Sequence, residues 1–328
     1  MPNHPDQIAA VLRKSRSVLI ACHVAPDGDT VGSALALRLA LARLGIPAQV
    51  GSADGVPPAF RTLPGADQVL TTPPTGRVDV GVAMECSTLD RAGTFGPALG
   101  RATTLINIDH HLNTAGYGHI VYRDPAAAAV GELVGKVIEG LRVPVDREIA
   151  QCLLAALVTD TGTFRYPNTT AQTLRLAADL MDAGASVSDI VERAYETRSL
   201  GGLRLLGMAL ASVQLNADRH IAWTTVTPQM LAAAGAVSED TTGIVAMVRQ
   251  VDGIRIALLF EVTAGGVKVS IRSRGGARAN VIAEAFGGGG HQGAAGFTGT
   301  GELAQVMAQT LAAAEKEIHQ LAERPSSP

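Results

Sequence analysis

Short apolar runs alternate with helical stretches through the first 110 residues, and this alternation limits the possible folds more than any other feature. The segments 17–22 (SVLIAC), 47–51 (PAQVG), 78–84 (VDVGVAM) and 103–108 (TTLINI) read as strands, and 30–45 reads as a helix ended by Gly45. A strand that is apolar throughout is buried on both faces, which implies an α/β architecture with a parallel sheet covered by helices on each side. Roughly four helical segments are expected over 126–196. The tract 186–215, with Gly201 and Gly202 inside it, reads as a helical connector. After residue 217 the pattern changes. Strands are expected at 220–226, 254–262 and 266–273, with helices near 239–250 and 278–286 and a last helix over 301–322. That second half reads as a smaller α+β domain, and the closing ERPSSP as a frayed tail.

Charge narrows the function classes. The chain carries 27 Lys and Arg against 30 Asp and Glu, a net charge of −3, so it has no basic coat for long or duplex nucleic acid. Any nucleic-acid ligand must be short or gripped locally. No apolar run approaches the ~18 residues of a membrane span, and the opening MPNHPDQIAA lacks the basic and apolar regions of a signal peptide. Cys22, Cys86 and Cys152 lie far apart and each in or beside an apolar run, which predicts three buried free thiols and fits a reducing cytoplasm.

The chemistry-bearing residues follow the strands. After 17–22 come His23, Asp27 and Asp29; after 78–84 comes Glu85; after 103–108 come Asp109, His110 and His111. Asp160 ends the helical run 152–159. In open α/β sheets ligands bind beyond the carboxyl ends of the strands. Alternate residues of an extended loop face the same way, so Asp27 and Asp29 are expected to share one pocket. Carboxylates held together repel unless a cation lies between them. Carboxylate and imidazole donors without thiolates suit Mn²⁺, or Mg²⁺ or Fe²⁺, and there are enough of them for two ions that clamp a phosphoryl group and activate a water. Taken singly, each motif has an ordinary reading as a turn, a helix cap or a polar loop. Their convergence at three strand ends carries the functional one.

A second constellation is Gly287–Gly290 followed by His291. Four successive glycines expose backbone N–H groups and admit a ligand closely, which suits a phosphate. Arg272, Arg274 and Arg278 make the neighbouring stretch locally basic, and Arg272 offers a plane for a base. Aromatic residues are few, which argues against a long stacked single strand. Arg91 is a candidate for steering phosphate. Thr161 and Thr163 read as residues that order the loop, Trp223 as core, and Glu132 as a solvated helix position.

The motifs H-x-x-P-D-x-D-x-x-G-S (23–33), D-H-H (109–111) and T-D-T-G-x-F (159–164) resemble the signature of the DHH phosphoesterases. The segment G-G-G-G-H-Q-G-A-A-G (287–296), preceded by V-S-I-R-S (269–273), resembles the DHHA1 domain. The spacing looks most like the nanoRNase A type: oligoribonucleases that also act as 3′-phosphoadenosine 5′-phosphate phosphatases. The resemblance implies a DHH catalytic domain at 1–190, a helical connector at 191–215 and a DHHA1 substrate-binding domain at 216–323, with the active site in the cleft between the two domains. It implies one metal on His23, Asp27 and Glu85, and a second on Asp29, Glu85, His110 and Asp160. His111, Asp29 and Asp109 are then the catalytic candidates. Arg272 and Gly288, Gly289, Gly290 and His291 would hold the base and far phosphate. Short oligoribonucleotides and nucleotide bisphosphates are the expected ligands, without a membrane, and a homodimer is compatible with the apolar connector. Glu85 stands where the family usually has Asp, one methylene longer but still able to bridge two cations. A cyclic- or linear-dinucleotide phosphodiesterase is the alternative enzyme. A nucleotide-binding sensor with a degenerate metal site is the alternative outside catalysis.

Overall fold

A computed structural model of the chain describes residues 4–111 and 116–323, so most of the predicted tail lies outside the described residues. In chain order the elements of the first half are α1 (His4–Lys14), β1 (Val18–Ala21), α2 (Gly28–Arg43), β2 (Ala48–Gly51), β3 (Val80–Met84), α3 (Gly96–Gly100), β4 (Thr104–Asp109), β5 (Ile120–Arg123), α4 (Val130–Gly140), α5 (Arg147–Asp160), α6 (Ala171–Asp182) and α7 (Val187–Val191). The second half adds α8 (Leu200–Ala211), β6 (Gln214–Leu215), β7 (Ile221–Val226), α9 (Pro228–Ala234), α10 (Ile244–Val248), β8 (Ile256–Thr263), β9 (Gly266–Ser273), α11 (Ala279–Glu284), β10 (Gly289–His291), β11 (Ala294–Gly299) and α12 (Leu303–Glu323). The chain divides into two compact units, Met1–Glu196 and Thr197–Pro328.

The first unit is built on a five-stranded sheet in the order β2-β1-β3-β4-β5, parallel throughout. Side chains alternate across it as strand geometry requires. Val18, Ile20, Val80, Val82, Ile106 and Ile108 join the core formed with α2, α4 and α5, while Leu19, Ala21, Ala83 and Leu105 pack with Phe95 and Leu99 on the other face. Both faces are covered, which is why the strands read as continuous apolar runs. Strand β5 escaped the sequence reading because it is a four-residue edge with only two buried positions. The chain runs from β1 to β2 on one side of it and then crosses back to β3 on the other, which puts a topological switch point beside the carboxyl ends of β1 and β3. Helix α2 is buried round most of its circumference and packs on α5 so closely that a Cβ on Gly32 would lie 2.4 Å from the Cys152 carbonyl oxygen.

The second unit is a six-stranded mixed sheet in the order β10-β11-β9-β8-β7-β6. Ile256, Leu258 and Phe260 of β8 face a core that includes Ile282 of α11 and Val306 of α12; Ala257 and Leu259 face Leu205, Ile244 and Val248. Helix α8, predicted as a connector segment, thus contributes its buried side to this second core. All three cysteines are buried free thiols. Among the described residues no single helix is long and apolar enough to cross a membrane.

Candidate metal centre

The turn after β1 delivers two acids through a helix start. Asp27 is the N-cap of α2, its Oδ1 accepting from the backbone N–H groups of Asp29 and Thr30, each at 3.0 Å. Asp29 lies in the first helical turn and is fully buried. The two therefore differ from the expected extended pair: a helix N-terminus, not strand alternation, positions them. The Asp29 carboxylate accepts from the N–H groups of Val130 at 2.6 Å and Gly131 at 3.0 Å, and from Ser33 Oγ at 3.0 Å. Helix α4 has no side-chain cap of its own, since its N-cap residue is Ala129. Asp29 supplies that cap from another element and sits in the favourable field of the helix end.

Glu85 follows β3 in a left-handed backbone conformation, φ 56°, with its N–H donating to Ile108 O at 2.8 Å. Such strain in a non-glycine residue persists where surrounding structure enforces it, often at functional sites. Its carboxylate is buried, and Oε2 makes no hydrogen bond to the described residues. The His23 Nε2 atom is 3.8 Å from Glu85 Oε2 and 3.7 Å from Asp27 Oδ1. The His110 Nε2 atom is 3.8 Å from Glu85 Oε1 and 3.6 Å from Asp160 Oδ2. Each imidazole turns Nδ1 to a main-chain carbonyl, His23 to Val24 at 2.8 Å and His110 to Ala127 at 3.1 Å. That orients both Nε2 atoms inward, as the outer hydrogen bond of a metal-ligating histidine does. The ligand atoms of His23, Asp27 and Glu85 lie within 4.8 Å of one another, as do those of Asp29, His110 and Asp160.

The electrostatics favour cations. Burial, then the charges of Asp27 and Asp29, push Glu85 well above the usual carboxylate range. Burial and Asp29 raise Asp160 from 3.8 to about 8. Asp29 rises to about 6 through burial, restrained by His110. His23 reaches about 9, and His110 about 11: burial opposes the proton on each, but the facing carboxylates outweigh it. The separations of 3.6–3.8 Å are longer than a hydrogen bond yet short enough for two donors to share a cation. With the unpartnered Glu85 Oε2, this hard, thiolate-free donor set fits divalent metal.

Beside it, His111 Nδ1 donates to Asp109 Oδ1 at 2.7 Å, and the His111 backbone N–H donates to the same oxygen at 2.9 Å. Buried Asp109 thereby fixes the ring and leaves Nε2 as its other polar atom. Arg91 is exposed on the turn 89–95, its main-chain carbonyl accepting from Val24 N–H at 2.7 Å.

In the second unit the predicted open glycine loop is instead a strand. Gly289, Gly290 and His291 form β10, paired with Gly296, Ala295 and Ala294 of β11. A Cβ on Gly288 would lie 2.3 Å from the Gly296 carbonyl oxygen, and one on Gly290 2.5 Å from that of Ala294, so close backbone packing requires both glycines. Arg272 is half-buried on β9, opposite Ala294. Arg274 and Arg278 are committed to the fold: Arg274 donates to the carbonyls of Ile254 and Val251, and Arg278 is paired with Glu317 at 2.9 Å. Glu132, expected in solvent, is buried and accepts from Thr173 Oγ1 at 2.6 Å. Sequence reasoning missed Ser33 as a partner of Asp29. It also missed Asn168, whose Nδ2 ties Ala128 O at 2.9 Å to Asp160 O at 3.1 Å. The polar Ser33 four residues after Asp29, on one helix face, was the available signal.

Known proteins resemble this chain in sequence and in fold. Residues 17–157 match the DHH family, N-terminal domain, and residues 227–321 match the DHHA1 domain. The chain is 38% identical, over 95% of its own length and 93% of the relative's, to the bifunctional oligoribonuclease and PAP phosphatase NrnA of Thermus thermophilus. It is 28% identical, over 85% of its length and 88% of the relative's, to the protein of the same name from Bacillus subtilis. A solved exopolyphosphatase-related protein from Bacteroides fragilis superposes with a TM-score of 0.89 over 97% of each chain at 24% identity, a likeness of fold.

Proposed function

Because this chain belongs to the DHH phosphoesterase family and carries a DHHA1 domain after its DHH domain, we propose that it hydrolyses very short oligoribonucleotides to 5′-mononucleotides and removes the 3′-phosphate of 3′-phosphoadenosine 5′-phosphate. The observation that carries this reading is the convergence of His23, Asp27, Asp29, Glu85, His110 and Asp160 beyond the ends of β1, β3 and β4 and of α5. In this reading His23, Asp27 and Glu85 hold one Mn²⁺, and Asp29, Glu85, His110 and Asp160 hold a second, with Mg²⁺ as a substitute. Bound there, the ions would supply positive charge to the phosphate and make a water more acidic.

The chain's own groups do the rest. Helix α4 holds Asp29 ionised against its burial through the Val130 and Gly131 N–H groups. Asp109 fixes the His111 ring through Nδ1–H, so His111 in its doubly protonated form can hydrogen-bond a phosphate oxygen through Nε2–H and pass that one proton to the leaving oxygen, ending as the neutral Nδ1–H tautomer. Arg91 steers the incoming phosphate. Arg272, Gly288, Gly289, Gly290 and His291 are assigned to the base and far phosphate of the substrate, within a DHHA1 domain taken as 216–323.

The test is a panel: purified protein with Mn²⁺ or Mg²⁺, RNA ladders labelled at either end, and 3′-phosphoadenosine 5′-phosphate. The expected result is metal-dependent release of mononucleotides from di- and trinucleotides, falling steeply with length, and release of inorganic phosphate from the bisphosphate. Undiminished rates on long RNA would overturn the length preference. No turnover of any of these with either metal would overturn the activity itself.

A further inference from the structure

The chain has one Trp, four Tyr and six Phe, and among them Tyr195 alone is exposed, at 42%. It lies within a single π-helical turn, Glu192–Glu196, that follows α7. Such turns are rare and occur frequently at functional sites. The turn directs the Tyr195 hydroxyl to the Thr159 carbonyl, 3.4 Å away and one residue before Asp160. The charges of Arg165, Asp160 and Asp27 act on the hydroxyl as well.

The segment that follows Asp160 has an enforced backbone. Gly162, Thr163 and Phe164 are three successive left-handed residues, with φ of 54°, 60° and 61°. Two of them are not glycine, a costly arrangement that persists only when enforced. The enforcing contacts are Thr163 N–H to Val158 O at 2.7 Å and Phe164 N–H to Thr161 Oγ1 at 3.0 Å. The Tyr166 ring fills the space where a Cβ on Gly162 would come within 2.3 Å of it. Arg165 emerges from this segment exposed, with Nε donating to Gly162 O at 2.8 Å. An exposed aromatic residue whose hydroxyl meets the main chain beside Asp160, with the cationic Arg165 on the same segment, has the chemistry to meet a flat apolar group next to a phosphate.

We propose that Tyr195, flanked by Arg165, is the platform on which one nucleobase of the substrate stacks while the adjoining phosphate is presented to the carboxylate–imidazole cluster. This rests on the reading of the site as a phosphoesterase of short nucleotides and deepens it. It assigns base recognition to the first unit as well as to the second. Stacking on one aromatic face is insensitive to base identity, so the platform selects for the presence of a base and not for its sequence.

The experiment compares a 5′-phosphorylated diribonucleotide with two analogues carrying an abasic ribose at one position or the other. Wild-type protein is expected to cleave one abasic analogue with kcat/KM reduced about tenfold or more relative to the intact dinucleotide. Tyr195→Ala is expected to collapse that ratio toward one, and Tyr195→Phe, which keeps the ring, to retain it. Arg165→Ala is expected to raise KM for all three substrates. A ratio unchanged in Tyr195→Ala, an equal loss on all three substrates, or a wild-type enzyme indifferent to both abasic positions overturns the platform. A wild-type enzyme that cleaves no dinucleotide overturns the parent reading, and the wild-type lane alone reports it.

Discussion

At the scale of single residues, Asp29 joins two roles that substitution separates. It caps α4 through two N–H groups and belongs to the ligand cluster. Asp29→Ala is expected to abolish turnover, and also to destabilise the protein in chelator at about pH 5, below the folded-state pKa of Asp29, by about 1–2 kcal/mol, the cost of a lost cap, as read by thermal melting. A mutant as stable as wild type would show that the capping contacts carry no energy. The protonation states make a second prediction. Asp29 is raised from 3.8 to about 6, Asp160 from 3.8 to about 8, and His23 from 6.5 to about 9. A raised group contributes stability that is complete below its unfolded-state pKa and is lost as pH climbs through the folded value. The metal-free protein therefore loses stability from these groups between about pH 4 and pH 9, and divalent cations take the place of the lost protons. The rise in melting temperature on adding Mn²⁺ is expected to be larger at about pH 8.5 than at about pH 5.5. An equal or larger rise at the lower pH counts against the cluster as a cation site.

At the scale of elements, α2 and α5 carry Asp29 and Asp160, and their closeness depends on glycine. A methyl group on Gly32 of α2 meets the Cys152 carbonyl oxygen of α5 at 2.4 Å; at the neighbouring α4–α5 contact, one on Gly131 meets Ala156 Cβ at 2.7 Å. Gly32→Ala must push apart a pair of helices whose relative position sets the cluster. Overpacking costs about 1–3 kcal/mol, which the better helix propensity of Ala offsets by about 1 kcal/mol at most. A lower melting temperature together with weakened Mn²⁺ binding is expected; a stabilised variant with unchanged Mn²⁺ binding would refute tight α2–α5 packing as the device that sets the site. The sequence showed α2 and α5 as helices from their apolar content. It did not show their contact, because a glycine's need for space becomes visible only when the neighbouring backbone is in place.

At the scale of the whole molecule, the six ligand candidates fall in the first unit, and Arg272 and His291 in the second. Arg272→Ala is accordingly expected to raise KM for short RNA and for 3′-phosphoadenosine 5′-phosphate about tenfold, as loss of a charge-assisted contact does, while leaving the Mn²⁺-induced melting shift intact. Loss of both together would show that Arg272 supports the fold and not the substrate. Arg278 differs: bound to buried Glu317, it belongs to the packing of α12, and its removal should lower stability.

The residues themselves determined a parallel sheet with an acid or histidine following three of its strands, because burial on both faces leaves an apolar run and ligand sites gather at strand ends. They determined the donor chemistry too, since carboxylates and imidazoles without thiolates admit a narrow class of cations. Tertiary structure alone decided that Asp29 is held by the start of α4, 101 residues away; that the glycine run is a tightly packed edge strand; and that Glu132 is buried. Each of these depends on which backbone comes close to which side chain. Local periodicity carries no record of contacts made across such distances in the chain.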